Sequence, residues 1–127
     1  MKARCVFGKI KKPFQRKTSI IDNYYFEDIN SNTDQSKALA NIDCIIHSIS
    51  RAHIMKDNHK ASFLEYKKIN IEITRNLAEQ ASFLGVKRFI YISTIGVNGI
   101  CANYNSYFRS NDSPVPFNHY TASKYAA

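Results

Sequence analysis

A chain of 127 residues is about one small domain, and its 44% apolar content with eight phenylalanines and eight tyrosines is that of a globular protein, which excludes disorder throughout. The net charge of +8 is uneven: residues 1–17 carry seven cations and no acid, leaving eleven cations against ten acids in a nearly neutral body. Such an arm suits nucleic acid or an anionic membrane surface, but a solvated lysine-rich loop is the commoner origin. Only Phe7 and Phe14 interleave with its cations, which is thin support for a nucleic-acid surface, so the arm is read as a loop.

In chain order, residues 3–7 form a short apolar segment closed by Gly8, and the cationic stretch with Pro13 that follows reads as a loop. Residues 19–25 are a second candidate strand. Asn32, Thr33 and Asp34 supply helix-start chemistry for a short helix over residues 35–40, and Asn41-Ile42-Asp43 interrupts it. The apolar run Cys44-Ile45-Ile46 then has the character of a buried parallel strand. From residue 58 to 84, Tyr66, Ile69, Ile73, Leu77, Ala81 and Leu84 recur every three or four positions, one stripe of a long helix that Gly85 terminates. Phe89-Ile90-Tyr91-Ile92 follows at once. Strand, helix and strand make a βαβ unit with parallel strands, so the fold class is α/β, and active groups belong beyond the carboxyl ends of the strands.

Two such ends carry polar residues: His47-Ser48-Ile49-Ser50 and Ser93-Thr94. Taken alone, Ser93-Thr94 is as well explained by a strand terminus or a helix cap. Further on, Tyr120 stands four residues before Lys124. On a helix the two share a face, where the ammonium favours the ionised phenol, and a phenolate is a base. A bare pair of this kind is also an ordinary surface feature of helices, worth a few tenths of a kcal/mol.

Cys5, Cys44 and Cys101 are odd in number and contain no CxxC pair, which suggests reduced thiols and a cytoplasmic location. The sequon Asn111-Asp112-Ser113 then carries no weight. His47, His53, His59 and His119 lack metal-ligand spacing, so no metal site is expected. No apolar run approaches the roughly 18 residues of a membrane span, and no hydrophobic stretch follows the N-terminal cations.

Order and context connect these landmarks. Residues 40–47, Asn70-Ile71-Glu72-Ile73-Thr74, residues 85–94, Val97-Asn98-Gly99 and Tyr120-Thr121-Ala122-Ser123-Lys124 occur in sequence. Residues 38–124 thereby resemble the extended short-chain dehydrogenase/reductase family, in the NAD-dependent epimerase/dehydratase branch that includes the UDP-glucose 4-epimerases. The resemblance extends more weakly to Glu27-Asp28-Ile29.

That resemblance implies a partial Rossmann-like doubly wound parallel sheet, NAD or NADP as cofactor, and a nucleotide-sugar substrate. It implies that Tyr120 is the acid/base acting on a substrate hydroxyl while a hydride moves to or from the nicotinamide. Lys124 would bond the nicotinamide ribose and lower the tyrosine pKa, and Thr94 would orient the reacting oxygen. Asp28 and Ile29 would meet the adenine, Ser48, Ile49 and Ser50 would pass the cofactor by their backbone, and Asn70 would tie that loop down. An ordinary buried amide satisfied by backbone is the plainer account of Asn70. A homodimer is possible on the same grounds, with no membrane or nucleic-acid partner.

The chain also departs from the family. Only Gly8 precedes Gly85, so no GxxGxxG can be written, and the turn that brings backbone N–H groups to a pyrophosphate is absent. Ile49 and two serines stand where the strand-end loop usually has small residues. His119 precedes the tyrosine where proline is common, and Gly8-Lys9 occupies the end of the family's second strand, where an acid would favour NAD, which leaves NAD and NADP both open. Residues 1–127 are therefore expected to be a part of an NAD(P)-binding Rossmann-like domain, lacking the first strand and its glycine-rich turn, with the C-terminal substrate lobe absent. The expected function is that of a fragment of a nucleotide-sugar epimerase or dehydratase, inactive alone. The alternative is a non-catalytic dinucleotide-sensing or protein-interaction module of the same fold.

Overall fold

The computed structural model describes residues 3–7, 21–25, 29–52, 59–100 and 107–127. Strand β1 (Ala3–Phe7) pairs in parallel with β2 (Ile21–Tyr25), and β3 (Cys44–His47) pairs in parallel with β4 (Arg88–Tyr91). These are two separate hydrogen-bonded pairs. In a doubly wound sheet ordered 3-2-1-4-5 the first strand lies between the second and the fourth. The two parallel pairs, with no ladder between them among the described residues, correspond to the strands on either side of that first position.

Helix α1 (Ser36–Leu39) is short. It starts where Ser36 N–H donates to Asp34 Oδ1 at 2.9 Å and stops at Asn41, whose φ of 59° is a left-handed conformation that asparagine tolerates better than most residues. The preceding turn is fastened to the long helix by side-chain amides. Thr33 O accepts from Asn76 Nδ2 at 3.0 Å and from Gln80 Nε2 at 2.9 Å, and Gln35 N–H donates to Gln80 Oε1 at 2.8 Å.

The expected continuous helix over residues 58–84 is three pieces: α2 (His59–Tyr66), a π-helical segment (Lys67–Glu72) and α3 (Ile73–Phe83). A π turn inserts extra backbone without ending the helix and re-aims the side chains on either side. Here it turns Asn70 into the interior, where it is 0% exposed, while Ile69 of the predicted stripe is only half-buried. Past Phe83 the helix closes as the sequence predicts. Gly85 has a φ of 74°, its N–H donates to Ser82 O, and Val86 N–H donates to Ala81 O.

The core is formed by Leu39, Ile45, Leu77 and Ala81, with Ile42, Val86 and Phe89 packed against it. Burying each Leu or Ile side chain stabilises the fold by roughly 1.5–3 kcal/mol. Alternation along the paired strands puts Ile45, His47, Phe89 and Tyr91 on the helix-covered face and leaves Ile46 and Ile90 exposed on the other. No helix among the described residues is long and apolar enough to cross a membrane.

Candidate active site

Helix α4 (His119–Ala126) carries Tyr120 and Lys124. Its start is set by a reciprocal capping box: Thr121 N–H donates to Asn118 Oδ1 at 2.8 Å, and Asn118 N–H donates to Thr121 Oγ1 at 3.1 Å. This satisfies two backbone donors at the turn that bears the tyrosine. Tyr120 is half-buried, with its ring centroid 6.1 Å from that of Tyr66.

Lys124 is 3% exposed. Its ammonium donates to Ile92 O at 2.7 Å, one residue past the end of β4, and lies 4.0 Å from the centroid of the Tyr91 ring. Burial pulls the lysine pKa below its ordinary value. The carbonyl and the ring face both favour the charged form and oppose that shift.

Thr94 follows β4 and caps a 3₁₀ turn (Ile95–Asn98), where its Oγ1 accepts from Gly96 N–H at 3.3 Å. A methyl group built on Gly96 would meet Thr121 Cγ2 at 2.8 Å and Phe117 Cε1 at 3.2 Å, with Thr94 Oγ1 at 3.7 Å. The threonine hydroxyl and the side chains of Phe117 and Thr121 thus border one point, and the missing side chain of glycine leaves room for them.

Asn70 joins the other strand end to the same helix. Its Oδ1 accepts from Arg51 N–H at 2.8 Å, and its Nδ2 donates to Arg51 O at 3.1 Å and to Ser123 Oγ at 2.8 Å. The Ser123 hydroxyl, also fully buried, donates to Tyr120 O at 2.7 Å. One amide therefore bonds the loop after β3 directly and, through Ser123, the backbone of the candidate tyrosine.

Beneath the site, His47 Nε2 lies 2.9 Å from Thr74 Oγ1, whose hydroxyl donates to Asn70 O at 2.7 Å. With that proton committed, Thr74 accepts from Nε2–H, which fixes the tautomer through the network. Burial, reinforced by the Lys124 charge, lowers His47 to about 4, so the ring is neutral near pH 7. It stacks on Tyr91 with centroids 5.7 Å apart. Burial and then the Tyr120 charge push the Tyr91 phenol up to about 12, and its buried hydroxyl has no hydrogen-bond partner among the described residues.

Of the residues singled out from sequence, Thr94 and Lys124 lie at the carboxyl end of β4, Tyr120 stands on the same helix as Lys124, and Asn70 reaches that helix through Ser123. Ser48 and Ile49 line a cavity of about 140 Å³ with Leu39, Ile46 and Leu77. Ser50 has a buried Oγ without a partner among the described residues. Ile29 is half-buried ahead of the turn over residues 30–33, and Asp28 lies outside the described residues. Sequence reasoning passed over Gly96, Ser123 and Tyr91 as working members. Gly96 alone had a local signal, a glycine two residues after the strand-end threonine.

A sequence profile of the 3-beta hydroxysteroid dehydrogenase/isomerase family matches residues 6–127. UDP-glucose 4-epimerase of Vibrio cholerae is 40% identical over 105 residues, covering 81% of this chain and 32% of that protein. Among solved structures, UDP-glucuronic acid 4-epimerase from Bacillus cereus in complex with NAD superposes with a TM-score of 0.70 at 29% identity, over 87% of this chain and 33% of that one. MoeE5 in complex with UDP-glucose and NAD gives 0.77 at 22% identity, over 98% and 38%, a likeness of fold alone. The chain spans about a third of the length of these relatives. Profile, relatives and strand-end motifs agree: the chain belongs to the 3-beta hydroxysteroid dehydrogenase/isomerase family of extended short-chain dehydrogenases/reductases, together with the NAD-dependent epimerases and dehydratases.

Proposed function

We propose that this chain carries the nicotinamide-side part of a nucleotide-sugar epimerase or dehydratase and is inactive by itself. The observation that carries the reading is the buried Lys124 ammonium on the same capped helix as Tyr120, beside the turn capped by Thr94. A group such as NAD, present in the Bacillus cereus relative, supplies hydride transfer when bound. The donor set fits its nicotinamide end: Lys124 and Tyr120 would hold the ribose, with Ser48, Ile49 and the Ser50 hydroxyl, which has no partner among the described residues, lining its path. The pyrophosphate end has weaker support, because a single glycine precedes residue 85.

Tyr120 exchanges a proton between its phenol oxygen and the substrate hydroxyl. Thr94 orients that hydroxyl through its own Oγ1, which its cap bond at 3.3 Å leaves able to donate. Lys124 keeps positive charge near the phenol, and Asn70 keeps the loop after β3 in register with α4 through Arg51 and Ser123. The substrate class follows two relatives, a UDP-glucose 4-epimerase and a UDP-glucuronic acid 4-epimerase. A homodimer in the cytoplasm is the setting proposed with it.

The test is turnover. The purified chain incubated with NAD and UDP-glucose or UDP-glucuronic acid should give no epimerised or dehydrated product. Turnover near that of a complete homologue would refute the inactivity. Saturable NAD binding without turnover would favour the dinucleotide-sensing module instead.

A further inference from the structure

We propose that Tyr91 is a positioning residue for Lys124: its ring face and the Ile92 carbonyl together hold the ammonium charged at the carboxyl end of β4. The argument starts from the cost of the lysine's location. Lys124 is 3% exposed, and an ammonium taken from water releases its proton unless the surroundings replace its hydration. Among the described residues two groups do so, the Ile92 oxygen at 2.7 Å and the Tyr91 ring at 4.0 Å. No carboxylate pairs with it among the described ion pairs.

The ring is itself held. His47 stacks on Tyr91 at 22° between planes, and His47 is pinned through Thr74 to Asn70 O. A neutral imidazole adds no repulsion. The Tyr91 hydroxyl makes no hydrogen bond among the described residues, so the aromatic face is the part of this side chain that acts on the lysine. The titratable groups packed around this pair are then His47 on β3, Tyr91 on β4 and Tyr120 on α4, and no carboxylate stands among them. The proposal rests on the functional reading only for why the charge matters; the positioning itself does not require it.

The experiment follows the Lys124 ¹³Cε resonance of the cofactor-free chain through an alkaline titration, with Lys124→Met to assign the signal. Tyr91→Phe keeps the ring and should leave the midpoint unchanged, whereas Tyr91→Leu should lower it by roughly one pH unit. Should Tyr91→Leu fail to fold, phenylalanine carrying one to three ring fluorines at position 91 preserves shape while weakening the ring's negative face. The midpoint should then fall stepwise with each fluorine, an effect that packing alone would not produce. A midpoint unmoved by fluorination or by Tyr91→Leu overturns the positioning role and leaves the functional reading intact. Turnover by the unaltered chain would overturn the inactivity reading and leave the titration result standing.

Discussion

Burial of polar side chains dominates at the scale of single residues. His47 has a folded-state pKa of about 4 against 6.5 unfolded, so between those values the unfolded chain takes up a proton that the folded chain refuses. Stability therefore falls as pH drops from 6.5 to 4, by roughly 3 kcal/mol in total, and this group adds nothing below about pH 4. Urea unfolding of wild type and His47→Gln across that window should show the wild-type advantage shrinking as the pH falls. Parallel curves would place the titration elsewhere. Sequence marked His47 as a strand-end residue, but its neutrality depends on Thr74, Tyr91 and Lys124, which come from three other elements.

Between elements, the site depends on two close fits. Asn70→Ala would leave the Arg51 N–H and C=O and the Ser123 hydroxyl without their amide partner. We expect a loss of about 2–3 kcal/mol in urea unfolding and faster hydrogen exchange at Arg51. Unchanged exchange there would separate the loop from Asn70. Two glycines offer a contrast of mechanism. Gly85→Ala meets no atom within 4 Å and should cost only the strain of its positive φ, about 1 kcal/mol. Gly96→Ala would collide with Thr121 and Phe117, should cost about 1–3 kcal/mol, and should shift the amide resonances of Thr94 and Thr121. Equal effects of the two substitutions would argue against close packing at Gly96. The apolar stripe from Tyr66 to Ala81 was legible because helical periodicity is local. The π turn was not, since Asn70 and Thr74 are polar and no apolar pattern announces that they face inward.

Across the whole molecule, the helices among the described residues cover one face of the β3–β4 pair and none of them covers the other. Ile46 is 69% exposed, with Ile90 beside it in the paired strand, where a doubly wound sheet would normally be covered on both faces. The double variant Ile46→Ser with Ile90→Ser should bind less of a hydrophobic dye and change unfolding free energy by no more than about 0.5 kcal/mol per site. A large loss of stability would show that this face is packed in solution.

The α/β order, the parallel βαβ unit, the stop at Gly85 and the shared face of Tyr120 and Lys124 are determined by sequence alone, because each follows from spacing within one element or from adjacent elements. Tertiary structure decided who holds the lysine, who holds the loop and why position 96 is glycine. Lys124 meets Ile92 across 32 residues of sequence, and Asn70 meets Ser123 across 53. Contacts of that range leave no periodic trace in the chain; they exist only once packing has brought β4, the π turn and α4 together and removed the water that would otherwise satisfy their polar groups.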